Sequence, residues 1–299
     1  MNFHTSVLLD ECIKGLNIRQ DGIYVDGTFG GGGHTTAIAP FANRVIAIDK
    51  DVQALERGTT APNVTLVHGD FCQIADILQD LEIVKIDGVL LDLGISSHQI
   101  DTAARGFSYM KQAKLDMRMD TSREQTAYDV INGYTLHELT KIFKIYGEEP
   151  FARPIAKAIE KERTKSPIET TTQLAHIVTE ITPKKFGLVS VKRVFQAVRI
   201  EVNNELNILE TTVNTATEHL NTGGRMCIIT FHSLEDRIIK HAYNRLQNPC
   251  TCPRDFPHCV CGKKPQIKII TKRPILPTAK EIEANSRAKS AKLRIAEKI

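Results

Sequence analysis

Four aspartates close four short apolar runs in the first third of the chain: Asp26 in IYVDGTFG, Asp49 in RVIAIDKD, Asp70 in VTLVHGDF and Asp92 in IDGVLLDLG. Four glycines, Gly30 to Gly33, follow the first of them, and His34 follows the glycines. What these residues can do depends on what the glycine loop receives. A phosphate-binding P-loop needs Gly-Lys-Ser/Thr, and no lysine follows here. A dinucleotide fingerprint needs G-x-G-x-x-G; Gly30 and Gly32 supply the first pair, but the third position is Thr35. A carboxylate beside the loop repels a pyrophosphate and attracts a cation. Asp49 stands 17 residues beyond Gly32, where a carboxylate can accept both hydroxyls of a ribose. Asp70 and Phe71 are placed to meet the edge and face of an adenine. Gly30 and Gly31 are expected to shape the turn. Gly32, Gly33 and His34 are expected to touch the ligand, His34 through its main-chain N–H.

The apolar runs over 23–30, 44–51, 64–71 and 86–94 read as strands, with helix-compatible segments at 34–41, 51–58 and 72–81 between them. Near-continuous apolar strands alternating with helices predict a parallel α/β sheet, which binds ligands at the carboxyl ends of its strands. One aspartate after one strand is usually a helix N-cap. Four in order around one glycine loop describe a site for S-adenosylmethionine, whose sulfonium and ammonium groups are cationic. From about 106 to 200 the strand rhythm stops and helical patterns replace it; in TLHELTKIFKIYG, Leu136, Leu139, Ile142 and Phe143 share one face. The segment VKRVFQAVRIEVNNELNILETTV reads as one helix. The sheet pattern resumes at 223–233, with two more strands expected at 266–273 and 291–299.

The chain has 299 residues, 41% of them hydrophobic, enough for a sizeable core. No apolar run reaches membrane-spanning length, and the first residues lack a basic n-region followed by an apolar block, so neither a membrane span nor a signal peptide is expected. Cys12, Cys72 and Cys227 lie in apolar contexts and read as buried thiols, which suits a reducing, cytoplasmic setting. The net charge of +4 hides an asymmetry: residues 1–105 hold 7 basic and 14 acidic residues, and the remainder 32 basic and 21 acidic. The segment 263–299 alone carries 11 basic residues against 3 acidic. Such a split predicts a polyanionic partner, most commonly nucleic acid, for the second part of the chain.

DGTFGGGGH, LLDLGISSHQID, RGFSYM, LDMRMD, YGEE, FQAVRIEVNNEL, ITFHSLEDRIIK and NSRAKSAKLRIAE together closely resemble the bacterial 16S ribosomal RNA small-subunit methyltransferase H family, also called MraW. The resemblance runs over nearly the whole chain. It implies a class I S-adenosylmethionine-dependent, Rossmann-like α/β fold with an inserted helical domain. The methyltransferase domain would comprise 1–105 and 201–299, and the insert, 106–200, would recognise RNA. It implies N4-methylation of a cytosine in the decoding centre (P-site region) of 16S rRNA, with the small ribosomal subunit as partner. Cofactor-binding positions fall on Gly32, Gly33, His34, Asp49, Phe71, Asp92 and Gln99; Gly33 and Gln99 come mainly from the resemblance.

Many amino methyltransferases carry D/N/S-P-P-Y/F after the fourth strand. This chain has DLGISSHQ, with Asp92 first and neither proline pair nor aromatic behind it. Asp92 is the expected catalytic residue at the junction of cofactor and target, with Ser96, Ser97 or nearby carbonyls fixing the amino group. Phe107 and Tyr109 are candidate stacking residues for an unstacked base, or core residues of the insert; Arg105 is a candidate phosphate contact. His232, Ser233 and Asp236 are expected at the same rim, His232 either as proton acceptor or as a structural residue. An RNA-binding assembly factor on the same fold, or a methyltransferase of another nucleic acid, are the alternatives. CTCPRDFPHCVC, from Cys250 to Cys261, departs from the family pattern. Its C-x-C pairs are tighter than the usual C-x2–4-C of zinc sites, so thiols on a loop are the first expectation, zinc the second, and no metal ligand is assigned.

Overall fold

The computed structural model describes residues 6–58, 60–253, 258 and 260–299. They form two compact units. One runs to Gly94 and resumes with Leu206–Ile299; the other is Ile95–Glu205.

The first unit is built on a seven-stranded sheet of β1 (Ile23–Asp26), β2 (Arg44–Asp49), β3 (Val64–His68), β4 (Ile86–Asp92), β5 (Leu220–Thr230), β6 (Ile267–Ile269) and β7 (Lys292–Lys298). Their order is β3-β2-β1-β4-β5-β7-β6, the class I, Rossmann-like arrangement. Strands β1 to β5 pair in parallel, and β7 runs antiparallel to both β5 and β6. The order reverses direction between β1 and β4, which opens a crevice at their carboxyl ends. Central β4 is buried from Ile86 to Leu91, as expected of a strand covered on both faces. Helix α1 (Leu9–Leu16) lays Cys12 and Leu16 on a core with Tyr24, Ile38, Leu90, Cys227 and Ile295. Burial pushes the thiols of Cys12 and Cys227 up, so both are inert packing groups. Helices α2 (Gly33–Ile38), α3 (Val52–Arg57) and α4 (Ile74–Asp80) connect the first strands.

The second unit is helical: α5 (Ser97–Asp101), α6 (Ala127–Gly133), α7 (Leu136–Ile145), α8 (Ala152–Arg163), α9 (Thr171–Ile181) and α10 (Gly187–Asn203). Thr126, Thr135 and Thr170 start α6, α7 and α9 with reciprocal capping boxes to Asp129, Glu138 and Gln173. The spacing is written in the sequence, and it satisfies two otherwise orphaned backbone groups at each start. The core gathers Phe107, Leu139, Ile142, Phe143, Ile155, Leu174, Val194 and Val198.

Two sequence expectations are corrected here. The segment read as one helix from 191 onward breaks at Asn204, which adopts φ 52° and ends α10; α11 (Leu209–His219) starts afresh and belongs to the first unit. Asparagine tolerates the left-handed conformation that stops a helix. Arg105 is not placed as a phosphate contact. It is buried, and its guanidinium donates to the carbonyls of Arg118 and Met119, both at 2.9 Å. Asn203 completes this framework, accepting from Met119 N at 2.7 Å and donating to Met117 O at 2.8 Å. LDMRMD and FQAVRIEVNNEL are therefore parts of one scaffold.

Candidate active site

The glycine loop leaves β1 through Asp26, and Asp26 is consumed in holding it. One carboxylate oxygen accepts from Thr28 N at 3.1 Å and the other from Thr35 Oγ1 at 2.7 Å. Asp26 is buried, so it shapes the loop directly and acts on a cation only through its field. Thr28 then accepts from Asp92 N at 2.6 Å, fastening the loop to the end of β4. Asp49 fastens it to β2, accepting from Gly30 N at 2.6 Å and from Asp51 N at 2.8 Å. A carboxylate has about four lone-pair directions, so Asp49 retains capacity for hydroxyl donors. Burial pushes its pKa up, against the two backbone bonds that lower it.

Backbone shape explains Gly30 and Gly32, both at positive φ, and close approach explains Gly33. Gly32 has φ 75°, and a Cβ there would stand 2.9 Å from the Phe29 ring. Gly33 begins α2, where a Cβ would run into Ser6 Oγ. No side chain fits either position without displacement.

His34 is buried at the start of α2. Its Nε2 lies 3.1 Å from Val7 O; a carbonyl only accepts, so Nε2 carries the hydrogen. Nδ1 is left facing Asp92 Oδ2 at 3.9 Å. Asp92 Oδ1 is buried and has no hydrogen-bond partner among the described residues. Burial pushes the Asp92 carboxyl up to about 6; His34 opposes that rise, while Asp26 and Glu235 add to it. A buried acceptor costs free energy unless something donates to it, and among the described residues nothing does.

Asp70 caps the single turn Phe71–Gln73, accepting from Cys72 N at 3.2 Å, while Lys50 stands 3.4 Å from its other oxygen. Phe71 is buried, with Lys50 Nζ 5.9 Å from its ring centroid. Helix α12 (Ser233–Gln247) follows β5, and His232 is its N-cap. His232 Nδ1 accepts from Glu235 N at 3.4 Å, and its Nε2 lies 3.0 Å from Glu235 Oε1. Glu235 in turn accepts from Phe231 N and His232 N. Both ring nitrogens therefore face the helix start, and of the two roles open to His232 the structural one matches this geometry. Asp236 is drawn away into a paired bond with Arg294, at 2.7 and 3.1 Å. Sequence reasoning missed Thr28 and Glu235. His-x-x-Glu ahead of an apolar run was a capping-box signal for the second; nothing marked the first.

In the second unit, Gln99 is buried in α5, its side chain accepting from Ser96 N at 3.0 Å, while Ser96 Oγ accepts from Gln99 N at 3.2 Å. Ser96 is thereby committed to a cap. Phe107 lies in the helical core, and Tyr109 packs edge-on against Phe195 with centroids 5.7 Å apart. Of the two readings of this pair, packing is the one realised. Glu149 of YGEE is buried, accepting from Phe151 N and Ser190 Oγ.

The model of the MraW methylase family matches residues 1–299. A ribosomal RNA small subunit methyltransferase H of Clostridium botulinum (strain Loch Maree / Type A3) is 52% identical over 305 residues, covering 99% of each chain. The same enzyme of Clostridioides difficile (strain 630) is 51% identical over 307 residues, again covering 99% of each. Among solved structures, a putative methyltransferase from Streptococcus mutans in complex with SAH aligns with 99% of this chain and 100% of its own, at 13% identity and a TM-score of 0.44.

Proposed function

Because this chain belongs to the MraW methylase family, we propose that it transfers a methyl group from S-adenosylmethionine to N4 of a cytosine in the decoding centre of 16S rRNA, acting on the small ribosomal subunit in the cytoplasm. The observation that carries the chemistry is Asp92: a carboxylate at the carboxyl end of β4, with one buried oxygen that no group among the described residues satisfies. The donor set suits the cofactor. Carboxylates of Asp26, Asp92 and Glu235 interact around the strand ends and favour a cation; Asp49 keeps acceptor capacity for ribose hydroxyls; Gly32 and Gly33 take no side chain without displacing Phe29 or Ser6. Gly32, Gly33, His34, Asp49 and Phe71 would hold the cofactor; Gln99 is a further cofactor position implied by the family resemblance. Bound there, S-adenosylmethionine supplies a methyl on a positively charged sulfur.

The residues then have separable tasks. The amino group of cytosine is a poor nucleophile because its lone pair is delocalised into the ring. Asp92 Oδ1 accepts an N4–H, localises that pair and takes the proton; a carboxyl with a pKa of about 6 is charged at neutral pH and can do so. His34 is held at the start of α2 by the bond from Nε2 to Val7 O, which leaves Nδ1 3.9 Å from Asp92 Oδ2. The 106–200 insert, with 16 basic and 11 acidic residues, and the basic tail supply the RNA-binding surface.

The test is transfer of tritiated methyl groups to 30S subunits and to naked 16S rRNA, followed by nucleoside analysis. N4-methylcytidine is expected. Its absence with both substrates, or label only in another nucleoside, overturns the reading.

A further inference from the structure

The loop from the end of α12 to β6 holds CTCPRDFPHCVC, which the methyl-transfer site does not use. Its base is closed: Gln266 N donates to Leu246 O at 2.9 Å, and Ile269 N donates to Gln247 Oε1 at 2.7 Å. Above that base the Sγ atoms of Cys250, Cys252 and Cys261 all lie within 4.8 Å of one another. Three sulfurs brought together across an eleven-residue separation are not what a loop of independent thiols gives. Two more observations belong with the convergence. Val260 N donates to Cys252 Sγ at 3.3 Å, a backbone bond that favours a charged sulfur. Gly262, directly after Cys261, has φ 65° and open space around its Cβ position, which turns the chain sharply past the last thiol.

The structure assigns a zinc site to Cys250, Cys252 and Cys261. Tetrahedral zinc–thiolate bonds of about 2.3 Å place sulfurs about 3.8 Å apart, a spacing compatible with the limit observed here. A disulfide needs about 2.05 Å and engages only two of the three. The ligand set is all thiolate, which selects a soft, tetrahedral ion over magnesium or calcium. Each coordinating thiol gives its proton to solvent on binding, and the following Lys263 and Lys264 favour the resulting negative charge. A tetrahedron takes one further donor. His258 and Cys259 precede Val260 in the sequence; Cys259 lies outside the described residues. The ion is structural: it staples the loop and takes no part in methyl transfer, so the site stands or falls apart from that activity.

The test uses the full chain purified under reducing conditions, loaded with zinc, desalted and assayed for metal by mass spectrometry. About one zinc per chain is expected. Cys250→Ser and Cys261→Ser should each lower it at least tenfold, and Cys72→Ser should not. Cobalt added to the demetallated protein should give intense thiolate-to-metal charge-transfer absorption, lost in the same two variants. Thermal melting in each case separates loss of a ligand from loss of the fold. Wild-type protein holding under a tenth of an equivalent overturns the site. So does metal retained by the Cys250→Ser/Cys261→Ser double variant, or an intact mass showing these thiols oxidised to a disulfide in freshly lysed cells.

Discussion

At neutral pH a carboxyl that titrates at about 6 is mostly charged, and in Asp92 that charge sits beside Asp26 and Glu235 with Oδ1 unsatisfied among the described residues. The raised pKa means that the folded protein binds the Asp92 proton more tightly than the unfolded chain does. Stability from this group is therefore present below its ordinary value and lost as pH rises from about 4 to about 6. Asp92→Asn should stabilise the protein at pH 7.5, by up to about 3 kcal/mol, while slowing single-turnover methylation by about 10² to 10⁴-fold. Urea unfolding and quenched-flow transfer measure the two effects, and a variant with lower stability and normal turnover would contradict both. In wild type the single-turnover rate should climb with pH through an apparent pKa near 6, because the proton acceptor must be empty. Gly33 gives a second residue-scale outcome. Gly33→Ala drives a methyl into Ser6 Oγ and should weaken S-adenosylhomocysteine binding about tenfold by calorimetry, about 1.4 kcal/mol; Ser6→Gly in the same chain should restore most of it.

Among the elements, α12 and β7 are joined by Asp236 and Arg294. Burial opposes the Asp236 charge, but the Arg294 bonds, with Lys292 near, outweigh it and hold the carboxyl below its ordinary range. The pair's contribution is complete above about pH 4 and disappears as pH falls through the lowered value. Asp236→Asn should cost about 3 kcal/mol at pH 7 and progressively less below pH 4, read from melting temperatures across that range. The elements differ in how plainly the sequence announces them. β1 to β4 were legible because each apolar run ends in Asp or Gly, and α6, α7 and α9 because Thr starts each with its capping partner three residues on. The stop at Asn204 was hidden, since asparagine occurs inside helices too and only its left-handed φ reveals the break. β6 was overestimated at eight residues and is Ile267–Ile269; beyond it the amides of Ile270 and Thr271 both turn to the one carbonyl of Ile295, so the regular ladder stops there. The candidate site was legible as a set of strand-end carboxylates. The division of labour among them was not: Asp26 and Asp70 make local bonds that any aspartate after a strand can make, and only position separates them from Asp92.

For the whole molecule, charge is the property that reaches furthest. The first 105 residues are acidic and the rest are basic, so most of the strand-end carboxylates and the proposed RNA-binding surface belong to different parts of the chain. RNA affinity should fall steeply as salt rises, since each neutralised phosphate releases counterions. Filter binding between 50 and 200 mM salt should show a loss of about 10³-fold or more, whereas S-adenosylmethionine affinity over the same range should change little. A flat RNA profile would remove the basic part as the footprint.

The sheet is also assembled from two separated stretches of chain: β5 lies directly beside β4 although Ile95–Glu205 intervenes between them. This fixes a chronology during synthesis. β1 to β4 emerge early but leave the far edge of β4 open, and Ile95–Glu205 can close on its own core before β5 exists. Until Leu220–Thr230 arrives, that edge is a bare row of amides and carbonyls, the kind of surface that pairs with the wrong neighbour. Asp92, at the end of that edge strand, acquires the neighbouring Glu235 only once β5 and the start of α12 have been made.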